Sequence, residues 1–368
     1  MKILQLGKFY PIKGGVEKVM YDLMTGLAAR GVACDMLCAA IEGGTRTVEL
    51  AHGARLFCCH TLKKVSATMI SPAMVSKMRK ICSHYDIVHI HHPDPTACLA
   101  LWCSGYKGKV VLHWHSDIVR QKRLLKMYQP MQEWLIRRAD IIVGTSPVYV
   151  AQSPFLRHVQ HKTTYLPIGV EAVKPDVEGA ERLRQQYGGR KIIFSLGRLV
   201  PYKGFCYLVE AARYLSDDYV VVIGGGGPLR EELEQQIHDL GLEHKVRLIG
   251  RIPDEELSAY YTACTLFCLP SVQKTEAFGI VQIEAMSCGK PVVTTKIPES
   301  GVAWVNGHGV SGLNVAPGNG RDLAAAICKV TEDEATYTRY CEGARTRFRE
   351  LFTIDGMIDK CLALYAEL

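Results

Sequence analysis

The chain has 368 residues, 48% of them hydrophobic and 22% charged, and its formal net charge is +7. This is the composition of an ordinary folded protein long enough for two domains, and no run of about 18 apolar residues indicates a membrane span. The N-terminus has no signal-peptide pattern and the 14 cysteines form no CxxC pair. We therefore expect a cytoplasmic protein with reduced core thiols and no metal site.

The first half alternates strand-like and helix-like patterns. KILQLG is typical of a strand, residues 15–31 have apolar side chains at helical spacing, and VACDMLCAA is typical of a second strand. This order predicts a βαβ unit and hence a parallel sheet. Further strand patterns follow in the order YDIVHIHHP, KVVLHWH and ADIIVGTSP.

A second series of strand patterns begins after residue 190. It comprises KIIFSLGR, YVVVIGGGGP, KVRLIGR, TLFCLPS and PVVTT. Residues 166–190, between the two series, are rich in Pro, Gly and charged side chains and are the predicted linker. The sequence thus predicts an α/β protein with two Rossmann-like domains, residues 1–172 and 173–350, followed by a C-terminal helix at 351–368.

The two predicted domains differ in charge. Residues 1–172 hold 22 Lys and Arg against 11 Asp and Glu, a formal charge of +11, whereas the remainder holds 22 against 26, or −4. Ten of the 13 histidines also lie in the first part. The asymmetry predicts different partners for the two domains, and variation in surface composition without function is the alternative.

Two glutamates flank a glycine after the strand pattern TLFCLPS. Glu276 precedes a helix that we expect to start near Gly279, and Glu284 lies more than one turn inside it. Ligands bind where strands of open parallel sheets end, and amides at a helix N-terminus suit phosphate. We predict that the amides of Phe278, Gly279 and Ile280 hold a diphosphate, while the two carboxylates accept hydrogen bonds from sugar hydroxyls on either side of it. The alternative is a loop with two solvated glutamates.

Two cations follow an earlier strand of the same domain. The segment SLGRLVPYKGF places Arg198 and Lys203 just after a strand, with a glycine beside each. Such cations would balance the charge of a diphosphate and stabilise a departing nucleotide, or they are merely solvated. A nucleotide sugar fits the whole set because it contains sugar, diphosphate, ribose and base in that order.

Together these motifs resemble the retaining glycosyltransferases of family four, whose GT-B fold has two Rossmann-like domains facing each other across an interdomain cleft. GRLVPYKG with EAFGIVQIEAMSCGKPVV is similar to their GR…KG loop and E-x7-E motif, and YPIKGGVEK is similar to their PxxGGxE loop. LPIGVE looks like their PNGVD-type stretch, although Ile168 replaces the usual Asn. The resemblance covers nearly the whole chain in the expected order.

The resemblance implies a role for each matching residue. Arg198 and Lys203 would bind the diphosphate, Glu276 would contact hydroxyls of the donor sugar, and Glu284 would contact the ribose. These roles agree with the chemistry of the residues themselves.

The resemblance also implies donor contacts from the first domain. Gly14 and Gly15 match the glycine loop that closes over the diphosphate. His115 matches the histidine that faces the donor sugar, and His113 is the other candidate. The helix at 351–368 resembles the family's terminal helix, which crosses back onto the first domain.

The implied activity is transfer of a hexose, with retention, from GDP-mannose or a UDP-hexose to a glycan or polyprenyl-linked acceptor in surface polysaccharide biosynthesis. No DxD motif stands at a strand end, so we expect no metal, no other cofactor and no nucleic-acid partner. A nucleotide-sugar epimerase of the same fold and a catalytically inactive GT-B binding subunit are alternatives. An NADP-dependent oxidoreductase would use the turn in VVIGGGGPL with Arg251, but it leaves the charged set without roles.

The segment RQKRLLKMYQPMQEWLIRRAD combines apolar and basic residues. Pro130 should kink or split any helix there. One interpretation is a helix that packs on the core and has a solvated basic edge, and the other is a surface that rests on the anionic inner face of a membrane. The apolar positions are Leu124, Leu125, Tyr128, Met131, Trp134 and Leu135, and the basic ones are Arg120, Lys122, Arg123, Lys126, Arg137 and Arg138.

Overall fold

The computed structural model describes residues 1–12, 14–65, 68–118 and 122–368, without the side chains of residues 122–125. The chain divides into two compact units. Unit 1 comprises Met1–Gly169 together with Ile354–Leu368, and unit 2 comprises Val170–Thr353. The division between them falls within the predicted linker, and the limits expected from the sequence lie after residues 172 and 350.

Unit 1 is built on a mainly parallel sheet. Its described strands are β1 (Lys2–Tyr10), β2 (Ala33–Ala40), β3 (Arg46–Glu49), β4 (Arg55–Cys59), β5 (Lys63–Val65), β6 (Thr68–Ile70), β7 (Ile87–His92), β8 (Lys109–Trp114), β9 (Ile141–Gly144) and β10 (Thr163–Tyr165). The sheet order is β10-β9-β8-β7-β1-β2-β4-β3, and β3 alone pairs antiparallel there. Strands β5 and β6 form a separate hairpin.

Three helices of unit 1 begin with strong capping signals. Ser71, Asp94 and Ser146 each accept a hydrogen bond from a backbone amide three residues on, and a proline follows each of them. Such caps fix where a helix starts because they satisfy otherwise unpaired amides. The described α-helices within residues 1–169 are α1 (Gly15–Ala29), α2 (Pro72–Ile81), α3 (Pro95–Ser104), α4 (Lys122–Arg138) and α5 (Pro147–Gln152), and the three with these caps are α2, α3 and α5.

Unit 2 contains an all-parallel sheet in the order β13-β12-β11-β14-β15-β16. Its strands are β11 (Lys191–Leu196), β12 (Tyr219–Gly224), β13 (Val246–Gly250), β14 (Leu266–Leu269), β15 (Val292–Thr295) and β16 (Gly312–Val315). The helices are α6 (Val177–Gln186), α7 (Phe205–Ala211), α8 (Arg230–Asp239), α9 (Asp254–Ala263), α10 (Ile280–Ser287), α11 (Val302–Asn306), α12 (Gly320–Val330) and α13 (Glu334–Leu351).

Two expectations about helices need correction. Helix α4 runs from residue 122 to 138 with Pro130 inside it, so the proline does not split the helix. The last helix, α14, spans Ile354–Ala366 and not 351–368, because α13 continues to Leu351. Helix α14 belongs to unit 1, where it packs against α1.

All 14 cysteines are free thiols, and nine of them are buried. Burial raises the pKa of thiols such as Cys34 and Cys268, which keeps them protonated and unreactive. The nine buried cysteines therefore act as small apolar core residues, in agreement with the expectation from their apolar sequence context.

Candidate active site

The charged residues predicted from the sequence meet at one place in unit 2. Strands β11 and β14 are neighbours, and successive strands are added outward from β11 on one side and from β14 on the other. The chain order thus reverses between them, which makes this the point where an open parallel sheet binds its ligand. Arg198 and Lys203 follow β11, and Glu276 and Glu284 follow β14.

Lys203 and Glu276 form an ion pair at this edge. The Lys203 Nζ lies 2.6 Å from Glu276 Oε2, and the two side chains are only 11% and 12% exposed. Ser271 donates a hydrogen bond to the same carboxylate oxygen at 3.1 Å, and Ser300 donates to the Glu276 carbonyl at 2.5 Å. The pair is therefore held in place from both sides, and its low exposure strengthens the attraction between the charges.

Arg198 differs from Lys203 in its environment. It is exposed, whereas Lys203 is buried beside Gly197, at which an added Cβ would lie 3.2 Å from the lysine Cε. An exposed guanidinium can turn toward an incoming anion, and it offers several donors in a planar fork. The edge thus has one fixed cation and one accessible cation.

The glycine-rich turn after β12 supports the loop that carries these cations. The amide of Gly197 donates to Gly224 O and the amide of Leu199 donates to Gly226 O, both at 3.0 Å. Gly225 has a φ of +125°, and an added Cβ there would lie 1.9 Å from Gly197 O. Backbone packing between the two loops therefore requires the glycine, and this turn needs no dinucleotide to explain it.

The loop after β14 ends at the N-terminus of α10, as the sequence predicts. Gly279 is the N-cap with a φ of +76°, and an added Cβ would lie 2.7 Å from Leu269 Cδ2. Phe278 is buried, and its carbonyl accepts a hydrogen bond from Gln282 Nε2 at 3.0 Å. Together with Ile280 these residues form the start of the helix, where backbone amides and the helix dipole favour an anion.

Glu284 is oriented by a residue that sequence reasoning missed. The hydroxyl of Tyr261, on α9, donates to Glu284 Oε2 at 2.5 Å. Burial of Tyr261, followed by the nearby carboxylate, raises the tyrosine pKa well above its usual range, so the hydroxyl remains a donor. The hydrogen bond fixes the orientation of this half-buried carboxylate on α10.

The other sequence-predicted residues lie in unit 1, at the corresponding edge of its sheet. There the strand order reverses between β1 and β7. Gly14 caps α1 after β1, and Gly15 is the first residue of that helix. Glu17 folds over the cap, since a Cβ added to Gly14 would lie 2.6 Å from Glu17 Oε2. Burial raises the pKa of Glu17.

Four histidines cover one face of β7 and β8. His91 pairs with His113 across the two strands, and His89 and His115 lie two residues away on the same face. All four side chains are buried, with at most 4% of each exposed. Burial lowers the pKa of each, and for His113 to about 3. The four imidazoles are therefore neutral at physiological pH.

Hydrogen bonds join three of the histidines to two residues distant in sequence. The hydroxyl of Tyr365, on α14, is hydrogen-bonded to His89 Nδ1 at 2.5 Å, and Gln5 Nε2 donates to that hydroxyl at 3.2 Å. Gln5 Oε1 lies 2.8 Å from His91 Nε2, and His91 Nδ1 lies 2.9 Å from His115 Nε2. We call this set the histidine chain: Tyr365, His89, Gln5, His91 and His115.

The histidine chain determines which nitrogen of His115 carries hydrogen. Because the amide oxygen of Gln5 can only accept, Nε2 of His91 must donate, which leaves Nδ1 of the neutral ring as an acceptor. The hydrogen between His91 and His115 then belongs to His115 Nε2. Nδ1 of His115 is left with its lone pair and has no partner among the described residues.

Three of these histidines lie close enough together to be considered as metal ligands. Ligand nitrogens of His89, His91 and His113 lie within 4.8 Å of one another. The rings are stacked, however, with planes only 14° to 28° apart and centroids 4.8 to 5.3 Å apart. In-plane lone pairs of stacked rings do not converge on one point, and both nitrogens of His91 are engaged. The residues do not suit a tetrahedral ion.

Comparison with known proteins gives the family. Residues 13–172 match the model for Glycosyltransferase Family 4, and residues 180–347 match the model for glycosyl transferases group 1. O-antigen chain mannosyltransferase C of Escherichia coli is 34% identical over 100% of this chain and 99% of its own. The chain belongs to family four of the glycosyltransferases. This confirms the resemblance and establishes glycosyltransferase activity as its class.

Other relatives of this glycosyltransferase agree. D-rhamnosyltransferase WbpZ of Pseudomonas aeruginosa is 31% identical over 96% of this chain and 92% of its own. Among solved structures, Anabaena HepE in complex with UDP has a TM-score of 0.82 at 22% identity, with both chains fully covered. Sucrose-phosphate synthase of Thermosynechococcus elongatus has a TM-score of 0.79 at 20% identity, with 100% and 99% covered. The expected GT-B fold class is confirmed.

Across the described ranges, with their gaps at 13, 66–67 and 119–121, none of the helices has the length and hydropathy needed to cross a membrane.

Proposed function

We propose that this enzyme transfers a hexose, with retention of anomeric configuration and without a metal ion, from a nucleotide-diphosphate sugar to a glycan or lipid-linked glycan. The donor is GDP-mannose or a UDP-hexose, and the product belongs to surface polysaccharide biosynthesis on the cytoplasmic side of a membrane. Two relatives, a mannosyltransferase and a rhamnosyltransferase, support a role in polysaccharide biosynthesis. The UDP bound by HepE keeps a uridine donor as a candidate.

The ion pair of Lys203 and Glu276 is the observation that carries the proposal. It places an ammonium and a carboxylate 2.6 Å apart, at the switch point of the sheet and next to the N-terminus of α10. A diphosphate at the helix N-terminus would meet Lys203 and Arg198, and the adjacent sugar would meet Glu276. These cations stabilise the charge that develops on the departing diphosphate, which is the task of a metal ion in other folds.

The proposed reaction follows from the groups available. The acceptor hydroxyl approaches the anomeric carbon on the face that the nucleotide leaves. The bond from the anomeric carbon to the phosphate oxygen breaks, the acceptor oxygen takes its place, and the acceptor proton passes to that phosphate oxygen. The nucleoside diphosphate then leaves. The enzyme contributes positioning and electrostatic stabilisation, and no side chain forms a covalent intermediate.

The remaining predicted residues have positioning roles in this proposal. Glu284, fixed by Tyr261, accepts hydrogen bonds from the ribose. In this proposal His115 faces a hydroxyl of the donor sugar; its Nδ1 is buried and has no partner among the described residues. Gly14 and Gly15 let the diphosphate approach their backbone closely.

A donor panel tests the proposal. Purified enzyme is incubated with GDP-mannose and with UDP-hexoses, with and without EDTA, and the products are identified by mass spectrometry and the anomeric proton coupling by NMR. We expect release of nucleoside diphosphate and a product with the donor's anomeric configuration at full rate in EDTA. An inverted product, or loss of activity that Mg²⁺ or Mn²⁺ restores, contradicts the mechanism. Epimerised donor without transfer supports the epimerase instead, and binding without either reaction supports an inactive subunit.

A further inference from the structure

A groove on unit 1 has a lining unlike that of the candidate active site. It has a volume of about 700 Å³, within the range of roughly 300–1,000 Å³ typical of ligand sites. Helices α2 and α3, the hairpin of β5 and β6, and Met131 of α4 surround it. Its apolar lining residues are Ile70, Pro72, Val75, Pro95, Leu99 and Met131.

Exposed apolar side chains concentrate around this groove. Of the ten large apolar side chains that are exposed in the described part of the chain, six lie on these neighbouring elements. A soluble surface rarely exposes so much apolar area in one place unless something covers it. The six are Leu62, Val65, Ile70, Leu99, Trp102 and Met127, and Trp102 and Met127 are 50% and 80% exposed.

Basic residues line the rim of the groove. Arg79 and Lys80 contribute to the lining from the last turn of α2. Lys63 is paired directly with Ile70 across the hairpin, so its side chain lies on the same face as that groove residue. Residues 50–85 contain six Lys and Arg and no Asp or Glu. The groove is thus apolar within and positively charged at its edge.

Helix α4, by contrast, turns much of its apolar side inward. Tyr128 and Leu135 are buried, and Trp134 is half-buried against Trp102, with ring centroids 5.8 Å apart. This agrees with the interpretation of α4 as a core-packing helix with a basic edge. Arg120 and the side chains of Lys122, Arg123, Leu124 and Leu125 lie outside the described residues.

We propose that this groove receives a hydrocarbon chain of an anionic membrane lipid, while Lys63, Arg79 and Lys80 bind the phosphate region of the bilayer surface. The apolar lining suits a hydrocarbon chain, and the cationic rim, with no Asp or Glu among the lining residues, suits an anionic headgroup. The inference rests on the proposed function, in which the acceptor is linked to a membrane lipid. It assigns the surface of unit 1 that faces the lipid. Lipid binding is measured in the absence of sugar transfer. A negative lipid-binding result therefore leaves the proposed transferase function intact, and the reverse also holds.

Electrostatic attraction is tested with vesicles of phosphatidylglycerol and phosphatidylcholine. We expect the enzyme to sediment with anionic vesicles at low salt and to dissociate from them as the salt concentration rises. It should not bind vesicles of pure phosphatidylcholine. The double variant Arg79→Gln/Lys80→Gln should bind at least about tenfold more weakly, since each cation near such a surface adds attraction. The matched control is Lys174→Gln/Arg182→Gln, two exposed cations of unit 2, which should bind like the wild type.

Chain insertion is tested with lipids brominated in their acyl chains, which quench tryptophan only at short range. We expect bound vesicles to quench Trp102, and Trp102→Phe to remove that component of the signal. Ile70→Ser and Leu99→Ser should reduce the quenching, whereas Val177→Ser, an exposed apolar residue of unit 2, should not.

Three results would overturn the proposal. The first is no binding of the enzyme to anionic vesicles at low salt. The second is that the unit 2 control variant weakens vesicle binding as much as Arg79→Gln/Lys80→Gln does. The third is vesicle binding without any quenching of tryptophan fluorescence. The last would reduce the surface to a simple electrostatic contact.

Discussion

The ligand edges of the two sheets have the same topology and opposite chemistry. In unit 2 the edge has charged side chains, and the most buried of them, Lys203 and Glu276, neutralise each other. In unit 1 the edge has imidazoles that burial keeps uncharged and that are joined by hydrogen bonds. The charged groups of unit 2 lie beyond the strands, in the following loops and helices, whereas the histidines lie within β7 and β8 or one residue after them.

This difference shows how position relative to a strand determines the usable chemistry. A side chain inside a parallel strand is removed from water, so an ionisable group there must be neutral or paired. A side chain in the following loop keeps some solvent and can remain charged for an anionic ligand. The same arrangement of strands therefore provides a largely buried ion pair with an exposed cation in unit 2 and a row of buried, neutral imidazoles in unit 1.

Acidification should have the largest effect, because it should destabilise the sheet of unit 1 more than the sheet of unit 2. Burial lowers the pKa of His92 and His113 to about 3, whereas histidines of the unfolded chain titrate near about 6.5. The unfolded chain therefore binds more protons below that pH, and the free energy of unfolding falls as pH falls, by about 2 kcal/mol for each histidine at pH 5. Hydrogen exchange, corrected for its intrinsic pH dependence, should show peptides of β7 and β8 losing protection before those of β11 and β12.

His113→Gln provides the control for this acid effect. This substitution should reduce the acid-induced loss in the free energy of unfolding at pH 5 by about 2 kcal/mol, whatever it does to stability at neutral pH. Equal loss of protection in both sheets would show that the buried histidines do not control acid stability.

The charged edge should depend on close backbone packing. Gly225→Ala places a Cβ 1.9 Å from Gly197 O at a φ of +125°, and we expect a loss of about 3 kcal/mol in the free energy of unfolding. Gly226→Ala is the matched control, because an added Cβ there meets nothing within 4 Å. Thermal unfolding without ligand should separate the two variants. Similar melting temperatures would show that the turn is not needed for packing.

Removal of the central ion pair should cost activity. Lys203→Met leaves the Glu276 carboxylate without its cation, and we expect a loss of about 100-fold in kcat/KM, as for other preorganised electrostatic groups. Glu276→Gln should lose a similar factor, and the double variant little more, because the pair acts as one unit. Lys274→Met, which breaks a more exposed pair with Glu299 at 2.7 Å, should have near wild-type activity. Losses that multiply would indicate two independent roles.

The smallest expected effect concerns the uncharged edge. Tyr365→Phe removes the hydroxyl that is hydrogen-bonded to His89 and should lower kcat by about tenfold, with little change in donor KM. Nitrogen NMR should show a mixture of His115 tautomers in this variant and a single one in the wild type. Tyr106→Phe, which removes another buried hydroxyl bonded to Tyr85 O at 3.1 Å, is the control for general destabilisation. An unchanged His115 signal would refute the positioning role.

Much of the fold could be predicted because parallel strands buried on both faces are continuous apolar runs. The patterns at β1, β2, β7 to β9 and β11 to β15 all correspond to strands. The sequence did not predict β3, β4, β5, β6, β10 or β16. All six have only three to five residues, and β3 and β5 are also largely exposed. Such segments have too little apolar pattern to distinguish them from loops.

The site was predicted as a set of residues but not as a set of contacts. Arg198, Lys203 and Glu276 follow strand patterns, so local sequence places them at one edge. Nothing local indicates that Lys203 and Glu276 pair with each other, since 73 residues separate them. The bond from Gln5 to Tyr365 spans 360 residues. Contacts of this kind depend on tertiary structure, and a single sequence contains no direct signal of them.

The placement of α14 has a consequence for synthesis on the ribosome. Unit 2 is continuous in sequence, so it can fold as soon as residues 170–353 have emerged. Unit 1 begins earlier but requires residues 354–368, and Nδ1 of His89 has no hydroxyl partner until Tyr365 arrives. The first unit to be translated is therefore the last to be completed, and its histidine-lined sheet edge lacks the contacts of α14 until the end of synthesis.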